Sequence, residues 1–248
     1  AYYPNDDSMV YFEAAKGFRS GSITSSSIMT ASNATLGGTD YDNSSEPDTL
    51  WNYTVGGKWN LGSVQIDLAA FFYDWSDAQI EISPALQSIV VPVGDIEGRG
   101  IDLTIAWDTP VEGLSLYFAG NINEVELDNV DEAISTKNPF MANGSQLPGT
   151  AKSTYSLRAN YLRELDNGMM LTANTLLTHR DKITSVFDGR VSDEIELLSA
   201  NISVGTDSWK LGLFGRNLAQ EDGVSSMVGG QHTVPFPRTL GVSFDRNF

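Results

Sequence analysis

VQIDLAAFFYDW, residues Val64–Trp75, is apolar at every second position: Val64, Ile66, Leu68, Ala70 and Phe72 share one parity, opposed by Gln65, Asp67, Ala69, Phe71 and Tyr73. Successive side chains of a strand point to opposite faces, so a two-residue period describes a strand with one apolar side. The polar parity turns aromatic near Tyr73, where the strand approaches an interface. The segment 63–82 is far longer than the roughly 5–6 residues usual in a soluble sheet, and it leans toward a tilted strand that extends beyond a bilayer.

The same period recurs outward from this stretch. In GIDLTIAW it sets Ile101, Leu103, Ile105 and Trp107 against Asp102, Thr104 and Ala106; in TYSLRANY it sets Tyr155, Leu157, Ala159 and Tyr161 against Ser156, Arg158 and Asn160. Trp209, Leu211 and Leu213 alternate with Lys210, Gly212 and Phe214 in the same way. Helical spacing is not sustained anywhere, so no helix of useful length is expected. Short connections with turn chemistry (61–63, 109–113, 166–168, 205–208) alternate with long polar ones (24–50, 83–97, 128–150, 184–194, 220–237). The strands between them span 9–23, 51–60, 63–82, 98–108, 114–127, 152–165, 169–183, 195–204, 208–219 and 239–248. If each strand reverses direction, the short turns gather at one end and the long loops at the other, the habit of a membrane barrel.

Composition narrows the function. The chain has 248 residues, no Cys, and 15 Lys+Arg against 32 Asp+Glu, so thiolate metal sites are excluded and no basic face could dominate for a nucleic-acid backbone. No apolar run reaches the roughly eighteen residues of a membrane helix, which leaves a β-barrel open because its strands expose only alternate residues to lipid. Periodicity alone does not separate such a barrel from a soluble β-rich binding or adhesion domain, nor from a passive porin.

Several phrases, in order, resemble the C-terminal part of the barrel of a TonB-dependent outer-membrane receptor. They are EAAKGFRSG (13–21), EPDTLWNYTVGGKW (46–59), LAAFFYDWSDAQI (68–80), GRGIDLTIAW (98–107), LPGTAKSTYSLRANY (147–161), LFGRNLAQED (213–222) and PRTLGVSFDRNF (237–248). Asp48 follows Pro47 where the family has Pro-Glu, a modest departure, and Leu240 stands where an aromatic is common. The resemblance implies an all-β fold: a transmembrane antiparallel β-barrel, of which residues 1–248 would be about ten C-terminal strands of twenty-two. It implies an outer-membrane location in a Gram-negative bacterium and energy-coupled uptake of a scarce ligand, most often a ferric siderophore. The implied partners are outer-membrane lipid, the barrel assembly machinery, that small-molecule ligand, and the TonB complex, reached through an N-terminal part with plug and coupling box that this sequence does not show. Nucleic acid is not among them.

No enzyme constellation is present and no cofactor is called for. His179 and His232 lie far apart without a ligand pattern and are expected to face solvent, so no metal centre is expected. The acidic groups Asp128, Asp131, Glu132 and Asp40, Asp42, Glu46, Asp48 are expected to be solvated loop residues. Asp67, Asp102, Arg158, Asn160, Lys210 and Arg216 fall on the polar parity and are expected in the lumen, where they avoid lipid. By resemblance, ligand contacts come from outside loops and the upper lumen, which nominates Arg19, Tyr41, Trp75 and Phe140. Trp51, Trp59, Trp75, Trp107 and Trp209 lie near strand ends, where an indole suits the membrane interface. In TLGVSFDRNF, Leu240, Val242 and Phe244 are expected toward lipid, and with terminal Phe248 they correspond to the family's assembly signal.

Overall fold

The computed structural model describes residues 1–83, 88–228 and 231–246. Its strands are β1 (Tyr2–Asn5), β2 (Ser8–Arg19), β3 (Asp48–Asn60), β4 (Val64–Ile82), β5 (Ile89–Asp108), β6 (Leu114–Asp128), β7 (Ser153–Glu164), β8 (Met170–Arg180), β9 (Ile195–Thr206), β10 (Trp209–Arg216), β11 (Ser226–Val228), β12 (Gln231–Thr233) and β13 (Thr239–Arg246). Helix α1 covers Ser26–Thr35, α2 covers Glu132–Lys137, and a 3₁₀ turn covers Pro139–Met141. Eleven strands form one sheet in the order β1 to β10 and then β13, while β11 and β12 make a separate hairpin. Every pairing is antiparallel, so the sheet is a meander in which chain neighbours are spatial neighbours.

The register sorts side chains into two faces. Phe12, Val55, Ala70, Ile101 and Ile122 form one row, and Ala173, Ile202, Leu213 and Val242 another. Among the described residues no core covers this side: Phe12 is 67% exposed, Ile122 58% and Val242 67%. So extensive an apolar face in water would be an aggregation surface, whereas hydrocarbon is its natural solvent. On β4 the run from Val64 to Phe72 ends at Asp74, close to the roughly 9–11 residues that cross a bilayer. Above that level the same face carries the Arg99–Glu124 ion pair with Glu97 and Glu126 beside it. Trp59, Trp107 and Trp209 sit close to the short turns on this face and Trp51 near the opposite end, whereas Trp75 is on the other face, packed into the loop core.

Four findings correct the sequence expectations. A short β1 pairs with β2, so the sheet has eleven strands rather than ten, and the first long strand is not an edge along its lower part. The connection expected over 83–97 is mostly strand: β5 begins at Ile89, and Ile89, Val91, Val93 and Ile96 are each 1% exposed or less. Pro92 and Gly94 disguised it as a loop, yet both fit, since the register shifts beside Gly94, whose φ of 143° favours glycine and whose Cβ would meet the Asp128 carbonyl at 2.6 Å. Helix α1 also forms where none was expected. Its Ser- and Thr-rich sequence is a poor helix former, with Thr30 and Thr35 donating to the carbonyls of Ser26 and Ala31, and burial of Met29, with Leu36 just beyond its end, anchors it to the sheet. The fourth correction is Asp48, which is 2% exposed and not a solvated loop acid.

Candidate functional site

The face opposite the apolar one is largely polar from the short turns up to the loop core. On it Lys58 pairs with its cross-strand partner Asp67. Asn121 donates to Asp102 at 2.6 Å, and Asn174 donates to Asn201 at 3.0 Å. Arg158, Asn160 and Arg216 line a cleft of about 460 Å³ with Asn174, Asn201 and Phe214. Lys210 lies opposite Asp245 on β13. All six residues expected on the polar parity therefore share this face.

Four of its aromatic residues do not project far. Tyr11, Phe71, Tyr73 and Phe214 are each paired directly across the ladder with a glycine: Gly56, Gly100, Gly98 and Gly241. A Cβ on Gly98 would stand 2.1 Å from the Tyr73 ring, and one on Gly241 2.3 Å from the Phe214 ring. Each ring thus lies flat over its partner's backbone, covering the glycine and leaving the space in front of the wall clear.

At the long-loop end, the upper parts of β4, β5 and β6 meet α1, α2 and the 3₁₀ turn in one apolar core. Ala78, Ile82, Ile89, Val93, Leu127, Ile134 and Met141 are buried in it, and Tyr41, Trp75, Phe140 and Leu147 pack against it. Arg19 joins the same region: its Nε donates to Asp48 Oδ2 at 3.1 Å, its Nη2 donates to the Gln79 carbonyl at 2.5 Å, and its guanidinium lies 5.0 Å from the Trp75 ring. The structure brings Arg19 and Trp75 into contact and places Tyr41 and Phe140 on the same core. Burial, and then the neighbouring Asp131 carboxylate, push the Tyr41 hydroxyl above its ordinary range.

Sequence reasoning missed the polar residues that seat these loops. Gln79 N–H donates to Asp48 at 3.1 Å, Ser45 Oγ donates to Gln79 Oε1 at 2.7 Å, and Gln79 Nε2 donates to the Ser20 carbonyl at 3.3 Å. Their local sequence carries no motif, because the partners lie 31 to 59 residues apart along the chain. Asp131 caps α2 by accepting from Ala133 N–H. His179 also departs from expectation: it is on β8 with its side chain only 9% exposed.

On the final strand Leu240, Val242 and Phe244 are 70%, 67% and 64% exposed on the apolar face, opposite Gly215, Leu213 and Leu211 of β10. Phe248 lies outside the described residues.

With this geometry in view, the family relationship is direct. The family model "TonB dependent receptor-like, beta-barrel" matches residues 1–218. Among solved structures, the ferric yersiniabactin uptake receptor FyuA from Yersinia pestis superposes with a TM-score of 0.75 at 18% identity, over 100% of this chain and 36% of its own. The ferric preacinetobactin receptor BauA from Acinetobacter baumannii gives 0.68 at 16% identity, over 97% and 34%. The pyoverdine receptor FpvA from Pseudomonas aeruginosa PAO1, bound to pyoverdine, gives 0.67 at 15% identity, over 100% and 35%. The chain thus spans about a third of the length of these receptors. No curated protein matches it by sequence. The chain belongs to the TonB-dependent receptor β-barrel family, as transmembrane wall of the outer membrane.

Proposed function

We propose that this chain forms the wall and extracellular loops of a receptor that imports a scarce ligand across the outer membrane at the expense of the proton gradient, and that the ligand is a ferric siderophore. The observation that carries the reading is the family match over residues 1–218, joined to solved relatives named for ferric yersiniabactin, ferric preacinetobactin and pyoverdine. In this reading the polar face with Asp67, Asp102, Arg158, Asn160, Lys210 and Arg216 lines the lumen of a twenty-two-stranded barrel, and the sheet's free edges, at β1 with the upper part of β2 and at β13, pair with its other strands. The ligand meets the loop roof whose base holds Arg19, Tyr41, Trp75 and Phe140. A plug and the TonB complex act through the N-terminal part of the receptor, and the barrel assembly machinery inserts it with Leu240, Val242, Phe244 and Phe248 as the signal.

The test is uptake of radiolabelled iron by cells carrying the complete receptor as their sole siderophore receptor, across a panel of catecholate, hydroxamate and mixed chelates. Saturable uptake that stops when an uncoupler collapses the proton gradient supports the reading. Uptake that ignores the gradient indicates a passive pore, and binding of cobalamin or a saccharide in place of every iron chelate refutes the siderophore.

A further inference from the structure

On the apolar face of β8, the run Leu171, Ala173, Thr175, Leu177 ends at His179, which stands directly opposite Glu196 on β9. Its Nδ1 lies 3.4 Å from Glu196 Oε1 and 3.5 Å from Glu194 Oε1, and these three donor atoms are all within 4.8 Å of one another. The His179 side chain is 9% exposed, and Nδ1 is buried with no hydrogen-bond partner. The opposite ring nitrogen, Nε2, is 3.4 Å from Ser153 Oγ. The ring stacks on Tyr155, centroids 4.4 Å apart and planes within 9°, and the Tyr155 hydroxyl donates to Glu196 Oε1 at 3.3 Å.

These separations decide between two chemistries. An imidazolium N–H bonded to a carboxylate closes to roughly 2.7–2.9 Å, and Nδ1 stands well outside that range from both partners. A neutral Nδ1–H would likewise close to about 2.7–3.2 Å on a carboxylate, and an unprotonated Nδ1 would turn its lone pair toward two anions, which is unfavourable with nothing between them. Donors about 2.0–2.1 Å from a tetrahedral divalent ion stand roughly 3.4 Å apart, the spacing found here from Nδ1 to each carboxylate, and the three donor atoms lie within 4.8 Å of one another. Ser153 and Tyr155 do what outer-shell groups do at such sites: Nε2–H pointing at the hydroxyl leaves Nδ1 free to ligate, and the stacked ring fixes the plane.

We propose that His179, Glu194 and Glu196 form a site for a divalent first-row transition ion of the Zn²⁺ type. One imidazole and two carboxylates suit such an ion, whereas Ca²⁺ wants six to eight oxygens. Two carboxylates neutralise its charge, which suits the rim of an apolar band. His179 precedes and Glu194 ends the connection between β8 and β9, so the ion clips the two roots of an extracellular loop together.

The test uses the complete receptor in detergent, stripped with chelator and titrated with Zn²⁺ by calorimetry, with cold-gel mobility reporting that each variant is folded. Wild type binds one more Zn²⁺ than His179→Ala, Glu196→Gln weakens that site at least tenfold, and Ser153→Ala weakens it about tenfold. His232→Ala binds as wild type. Zn²⁺ slows protease cleavage within 181–194 in wild type and not in His179→Ala. Equal Zn²⁺ binding by wild type and folded His179→Ala overturns the proposal, as does cleavage of wild type unaffected by the ion.

Discussion

Arg19 and Asp48 face each other across β2 and β3, and the pair is asymmetric: the aspartate side chain is 2% exposed while the arginine is 51% exposed. The carboxylate is therefore the committed partner. It accepts from Arg19 and from Gln79 N–H, which ties the first long loop to the upper part of β4. Arg19 in turn bridges onward to the Gln79 carbonyl.

Replacing Arg19 by Met strands a buried carboxylate. A broken buried pair costs about 3–5 kcal/mol, and the half-exposed arginine puts this one near the low end, about 3 kcal/mol. Protease access to residues 20–47 should rise sharply in Arg19→Met and fall back toward wild type in the double variant Arg19→Met, Asp48→Leu. Equal access in the single and double variants would show that the carboxylate is not what holds the loop.

The Tyr73 ring occupies the space where a Gly98 side chain would lie. Gly98→Ala should therefore push the ring off the wall and cost about 1–3 kcal/mol, the usual range for overpacking. Tyr73→Ala combined with Gly98→Ala should be more stable than Gly98→Ala alone. Urea unfolding in lipid vesicles, followed by tryptophan fluorescence, measures both.

Val242 and Ser243 are adjacent on β13 and point to opposite faces. Val242→Arg places a charge in hydrocarbon and should destabilise the inserted barrel by about 2–4 kcal/mol if it sits near the midplane, whereas Ser243→Arg should change it by well under 1 kcal/mol. Equal effects at the two positions in the same urea assay would reverse the assignment of faces.

Tyr41 resists ionisation because it is buried against the loop core, and Asp131 adds to this. Its folded pKa is raised above the ordinary value of 10.0, so its contribution is fully present below that pH and is lost as pH rises beyond it, where the unfolded chain ionises more readily. Alkaline titration of tyrosinate absorbance should show one fewer late-ionising group in Tyr41→Phe, and loosening of the loop core above about pH 10 should be blunted in that variant.

Much of the wall was legible in sequence because each strand states its own faces. Val64 to Phe72 and Leu240 to Phe244 alternate so regularly that no distant contact is needed to say which side is apolar. The core at the long-loop end was not legible in this way. The apolar side chains of Ile89, Val91, Val93 and Ile96 look like a loop beside Pro92 and Gly94, and they become a strand only where Ile80 and Ile82 of β4 offer partners. Helix α1 has little helical propensity of its own and exists through packing onto that floor.

The sequence by itself determined the two-faced strands, their short and long connections and, through ordered motifs, the family. Only the tertiary structure decided that Asp48 is buried beneath Arg19, that aromatic rings lie over glycines of the neighbouring strand, and that His179 meets Glu194 and Glu196. The reason is physical: alternation is a local property written residue by residue, whereas burial and ligation depend on which strand lies alongside at which register, and a shift of one residue would turn His179 to the other face.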